Sequence, residues 1–173
     1  MTDIFEIVSD DRDPIKKLIS KIPGFKGYVE RTDRRSSDKL LRETIAKEYE
    51  VLYQRISTLQ RDLISQGGLA YIDDLENAAI KIRQFIDRTK TASYGYAGLF
   101  DAIKIKEEEL ESIYKYDLAL LEYTTVISGA IDNVESSIGT DGLPASIRHL
   151  ISASQEVLDA FNKRSDAMKG ISL

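Results

Sequence analysis

Apolar residues along most of this chain recur at intervals of three and four, the period of one helix face. Ile15, Leu18, Ile19 and Ile22 predict a short helix from about Asp13 to Lys21. Asp11 or Asp13 can cap it, and Pro14 falls in the first turn, where a missing N–H costs nothing. Pro23-Gly24 stops it, because proline cannot continue a helix and biases Ile22 toward extended backbone. A second helix is predicted from Thr32 or Asp33 to about Gln66, with Leu41, Ile45, Tyr49, Leu52, Ile56, Leu59 and Leu63 on one stripe. No proline or glycine interrupts it, and roughly 35 residues make a rod about 50 Å long. Gly67-Gly68 closes it with the residue type that takes the left-handed C-terminal conformation.

A third helix, about Leu69 to Lys90, rests on Ile72, Leu75, Ala79, Ile82 and Ile86, and the short link makes it antiparallel to the second. Ala92 to Gly98 reads as the main interior loop. A fourth helix, about Leu99 to Ser137, carries Ile113, Tyr116, Leu120, Tyr123, Ile127, Ala130 and Val134 in a 3-4 rhythm, behind a charged, solvated opening. A fifth, about Pro144 to Lys169, carries Ile147, Leu150, Ile151, Val157, Phe161 and Met168. The one hint of strand is weak alternation across Ile4 to Val8.

These stripes predict an all-α protein: an antiparallel bundle of four long helices with a short N-terminal helix packed at one end. Only helix-on-helix packing buries four such faces together. A chain of 173 residues supports one domain, here an N-terminal arm over 1–31 and a four-helix body over 32–173.

Composition narrows the function classes. Hydrophobic content of 42% with 31% charged residues is that of a folded globular chain. There is no cysteine, so disulfides and thiolate metal sites are excluded and a reducing compartment fits. The acidic N-terminus, broken by Glu6, does not read as a secretory signal, and no window of about 18 apolar residues predicts a membrane span. A cytoplasmic protein is expected.

Candidate chemistry is sparse. His149 is the single histidine, too few for a zinc or di-iron site built without cysteine. Glu107, Glu108, Glu109 and Glu111 point in different directions around a helix and read as a solvated helix start that favours the dipole. Asp117 falls near a helix seam and, if buried, must be paired. No phosphate-binding glycine motif is present. The expectation is therefore no catalytic residue, no metal and no cofactor. Nine tyrosines without tryptophan leave room for an aromatic ligand pocket, with Tyr94, Tyr96 and Phe100 as its candidates and a small-molecule sensor as the corresponding function.

Charge adds one more site. Residues 12–42 hold ten Lys/Arg against four Asp/Glu, while the whole chain carries −5. Lys26, Arg31, Arg34, Arg35, Lys39 and Arg42 cluster at the joint between the first two helices, with Arg31, Arg34 and Arg35 at spacings that share a helix face and Arg35, Lys39 and Arg42 continuing it. Arginines held this way fork onto carboxylates or phosphates. They predict either an internal dock onto the acidic helices or a non-enzymatic scaffold that takes an acidic protein partner. A second possibility is an anionic membrane surface, reached through the first helix and the same basic face. Nucleic acid is not expected for an acidic chain, and a homo-oligomer is possible.

Ile22-Pro23-Gly24-Phe25-Lys26-Gly27-Tyr28, with Arg31, Arg34-Arg35, Asp38-Lys39 and Leu41-Arg42, resembles the opening of a group of bacterial helical-bundle proteins. The resemblance covers about twenty residues. It implies a helical fold and a bacterial origin, and it brings no activity or catalytic residue with it.

Overall fold

A computed structural model describes residues 4–8, 13–92 and 106–171, and among them every element is helical. The elements are α1 (Pro14–Lys21), α2 (Phe25–Glu30), α3 (Arg34–Ser65), α4 (Ile72–Thr91), α5 (Glu107–Ser137) and α6 (Leu143–Ile171), with 3-10 turns at Ile4–Val8 and Leu69–Tyr71. The all-α bundle expected from the apolar stripes is present.

Helix ends follow local chemistry. Asp13 caps α1 by accepting the Lys16 N–H at 2.9 Å, and Asp33 caps α3 by accepting the Ser36 N–H at 3.1 Å. The hydrogen bond to Ser36 also holds the Asp33 carboxyl below its ordinary value. At the end of α3, Gly67 takes a φ of +80°, and the Gly68 N–H reaches back to the Leu63 carbonyl at 2.7 Å. The Glu109 carboxylate accepts the Lys106 N–H at 3.0 Å, which anchors the start of α5.

Two elements differ from the reading of the sequence. Phe25–Glu30 is a helix rather than a turn, entered through Gly24 at φ +85°. Gly27 inside it argues against a helix, but Phe25 is fully buried against the Tyr114 ring, at 5.7 Å and edge-on, so packing overrides propensity. Ile4–Val8 is a 3-10 turn that packs Ile4 and Val8 onto α5 and α6. The described part of the fourth helix begins at Glu107, and residues 99–105 of the predicted one lie outside the described residues.

The four long helices pack in a ring in the order α3, α4, α6, α5. Gln60 with Glu76 and Lys90 with Glu50 show α3 and α4 antiparallel. Tyr123 with Glu156 and Asp117 with Arg164 show the same for α5 and α6. The two hairpins then lie side by side with parallel neighbours. Tyr49 pairs with Leu120 and Arg55 with Ser128 along α3 and α5, while Lys81 pairs with Gln155 and Arg88 with Asn162 along α4 and α6. Helices α3 and α6 thus occupy opposite corners, as do α4 and α5.

One continuous apolar cluster runs through all the long helices and takes in α1, α2 and the first 3-10 turn. Helix α1 lies alongside the first half of α5, with Leu18 and Ile22 buried and Lys17 and Lys21 at 3.0 and 3.9 Å from Glu122.

Candidate functional site

The six basic residues of the joint separate into different environments. Arg31 is the C-cap of α2 and not part of α3, so the predicted face shared by Arg31, Arg34 and Arg35 is broken by Thr32, at φ +56°, and by the Asp33 cap. Arg31 is exposed, with its guanidinium 5.0 Å from the Tyr28 ring centre. Lys26 and Lys39 are exposed and lie 3.6 and 3.8 Å from Glu30 and Glu43, each one turn on in its own helix. Arg35 is exposed, and Arg34 is half-buried.

Arg42 corrects the expected basic face, because it is buried. It lies on the core side of α3 beside Leu41 and Ile45, so an outside partner cannot reach it. Its Nε donates to Asp38 at 2.7 Å, and its Nη1 donates to the carbonyls of Thr89 and Lys90 at 3.2 and 3.5 Å. Those carbonyls belong to the last turn of α4, where a cation satisfies unpaired acceptors and opposes the negative end of the dipole.

Asp38 is the hinge of a larger network. Its other oxygen accepts from Arg164 Nη2 at 2.8 Å, and Arg164 also forks onto Asp117, through Nε at 2.7 Å and Nη2 at 3.2 Å. Arg164 and Asp117 are each 1% exposed. Two arginines and two aspartates therefore neutralise one another across the bundle centre, joining α3, α5 and α6 directly and α4 through its carbonyls. Arg164 Nη1 and Thr89 Oγ1 have no hydrogen-bond partner among the described residues, which leaves buried polar cost inside the network.

Burial pushes the Asp117 carboxyl above its ordinary value despite the pull of Arg164. Burial works against the Arg164 charge as well, but Asp117 and Asp38 together outweigh it and hold the guanidinium protonated. The asymmetry follows from sharing: the guanidinium is compensated by two carboxylates, whereas Asp117 has one guanidinium that it divides with Asp38. Beside them the Tyr114 hydroxyl is pushed up to about 12, mainly by burial, and it is hydrogen-bonded with Ser37.

The expectation that a buried Asp117 must be paired is met. The sequence reading missed its partner, Arg164; the signal that could have found it is an arginine standing in an apolar stripe, four before Met168 and three after Phe161. Among the described residues no group of carboxylates or histidines is arranged to hold a metal. His149 is exposed on α6. Tyr94, Tyr96 and Phe100, the candidates for an aromatic pocket, lie outside the described residues. No helix among the described residues is long and apolar enough to cross a membrane. No protein-family model, curated protein or solved structure matches the chain.

Proposed function

We propose that this protein is a non-enzymatic interaction module that docks an acidic protein partner on Lys26, Arg31, Arg35 and Lys39. The observation that supports this reading is the division of labour within the joint. Phe25 and Arg42 point inward and anchor the segment to the bundle, and Arg34 is half-buried, while the other four cations, Lys26, Arg31, Arg35 and Lys39, are exposed. A cation presented from a held backbone loses little freedom on pairing, so such a surface is pre-organised for carboxylates. The glutamates beside Lys26 and Lys39 are solvent-exposed and compete weakly. The strongest acid–base candidate, Asp117, is sealed against Arg164 and out of reach of a substrate proton, which favours a binding role over catalysis. A cytoplasmic setting agrees with the lack of cysteine.

The test is cross-linking in a lysate of the source organism with wild type and an Arg31→Glu/Arg35→Glu/Lys39→Glu variant, followed by binding of the recovered protein in rising salt. The reading predicts an acidic partner held by wild type, lost by the variant and weakened by salt. Equal recovery by both proteins would overturn it. The membrane alternative is less well supported, because the apolar side of α1 is already occupied: Leu18 and Ile22 are buried, and Ile15 and Ile19 pack on the core. Flotation with anionic vesicles that fails for the charge-reversal variant would favour it instead.

A further inference from the structure

The basic joint and the turn between α3 and α4 are separated by the length of α3, 32 residues or about 48 Å, and so occupy opposite ends of the bundle. The two ends differ in kind. At the turn, Leu69 is 67% exposed and Ile64 52%. Apolar side chains scattered singly need no explanation, but these two stand five residues apart across one tight turn, through Gly67 at φ +80° and Gly68. The same end carries an excess of carboxylates: residues 59–77 and 132–149, which form it, hold seven Asp/Glu against two Lys/Arg. Asp73, Asp74 and Asp141 are exposed, and among the described residues no salt bridge engages them. At the joint the balance is reversed. Arg31 and Lys39 are exposed, and Lys39 meets Glu43 only at 3.8 Å in a solvated pair that exchanges readily. Tyr28, Val29 and Leu40 are half-buried there and offer apolar surface between the cations.

Resting on the docking reading, we propose that the acidic partner of the joint is a second copy of this chain, whose α3–α4 turn seats Leu69 and Ile64 on the joint with Asp73 and Asp74 toward Arg31 and Lys39. Charge selects this pairing over the symmetric ones. Two turns placed face to face would bring Asp73 and Asp74 against like charges, and two joints would oppose their cations, whereas unlike ends attract. The glutamates at the start of α5 share the joint end, so the contact falls on its α2–α3 side. Joining unlike ends leaves one free end of each kind, so the contact repeats and association proceeds beyond a dimer.

Sedimentation velocity on the full chain over a range of concentrations tests this. The average mass of wild type is expected to rise with concentration past that of a dimer, and association should weaken at least about tenfold between about 0.05 and about 0.5 M salt. Arg31→Glu/Lys39→Glu and Asp73→Lys/Asp74→Lys, each checked for intact fold by circular dichroism, should sediment as monomers by themselves. Mixed in equal amounts they should associate, because each offers the other an end of opposite sign. Leu69→Gln, at an exposed site that the fold does not depend on, should weaken association about tenfold. The proposal fails if wild type stays monomeric, if the two charge-reversed proteins stay apart in the mixture, or if Leu69→Gln associates as wild type does. Association that survives Arg31→Glu/Lys39→Glu would put turn against turn and overturn it as well. A monomeric wild type would leave the docking reading standing, because that reading is decided by recovery of a different acidic protein from the lysate.

Discussion

At the end of the bundle where α3 closes and α6 begins, the buried side chains are Leu59, Leu63, Leu75, Ile127, Ile131, Val134, Leu143 and Ile147. At the other end, Asp38, Arg42, Asp117 and Arg164 occupy the same kind of inward position. Both ends bury four helix faces, but they constrain geometry differently. Apolar contacts are non-directional, so the first end gains stability from area removed from water and accepts small slides of one helix along another. A guanidinium forked onto one carboxylate and bonded to a second accepts few positions. Arg164 must reach α5 and the opposite corner at α3 together, and that demand is met when the two hairpins lie side by side in their observed register. The polar end is satisfied by few geometries, and the apolar end gains stability from buried area.

Removing one member of the network is the harshest way to break this contrast. Arg164→Met would leave Asp38 and Asp117 buried with one counter-charge between them, and is expected to lose about 3–5 kcal/mol in urea unfolding. Replacing the whole set, as Asp38→Leu/Arg42→Met/Asp117→Leu/Arg164→Met, should instead be neutral or stabilising by about 1–4 kcal/mol, since no charge is then orphaned. If the network sets the register, that variant will show broadened amide resonances at this end of the bundle while melting no lower than wild type. Sharp, wild-type-like spectra would locate the register in the apolar end.

Smaller changes separate the two ends by pH. Ile131→Val at the apolar end should cost about 0.5–1.5 kcal/mol, unchanged across pH. Asp117→Asn should behave otherwise. Because burial raises the Asp117 carboxyl above 3.8, the folded protein holds that proton more readily than the unfolded chain does. The contribution of this group is full below its unfolded pKa and declines as pH rises through the raised folded value. Wild type should therefore have its greatest advantage over Asp117→Asn in acid and lose it toward neutral pH, as measured by parallel urea titrations. A difference that grows with pH would mean that Arg164 overcompensates the burial. The mildest change lies on the surface above the network: Lys39→Glu should alter stability by no more than about 0.5 kcal/mol, and so isolates docking from folding.

Much of this architecture was legible in the residues. The stripes at three and four placed each long helix to within a few positions at the ends that are described. A cap at Asp11 or Asp13, a second helix starting at Thr32 or Asp33 and the Gly67-Gly68 stop were readable because helix ends are set by backbone groups of their own turn, a local requirement; that Asp33 is itself the cap came from the structure. Asp117 was readable as a residue needing a partner. The candidate docking site was only partly legible, since spacing placed Arg31 and Arg42 with the surface cations. Thr32 and the Asp33 cap take Arg31 off the helix that carries the others, and Arg42 lies on the core side of α3.

What the sequence by itself determined is the set of amphipathic helices and the caps that bound them, because periodicity and capping act over a few neighbouring residues. Tertiary structure decided the rest. It formed α2 despite Gly27, because Phe25 gains burial against Tyr114. It set α3 beside α5 rather than α6. It turned Asp38, Arg42, Asp117 and Arg164 into one neutral cluster, because charges 126 positions apart in the chain, as Asp38 and Arg164 are, compensate each other only when folding brings them within hydrogen-bond distance.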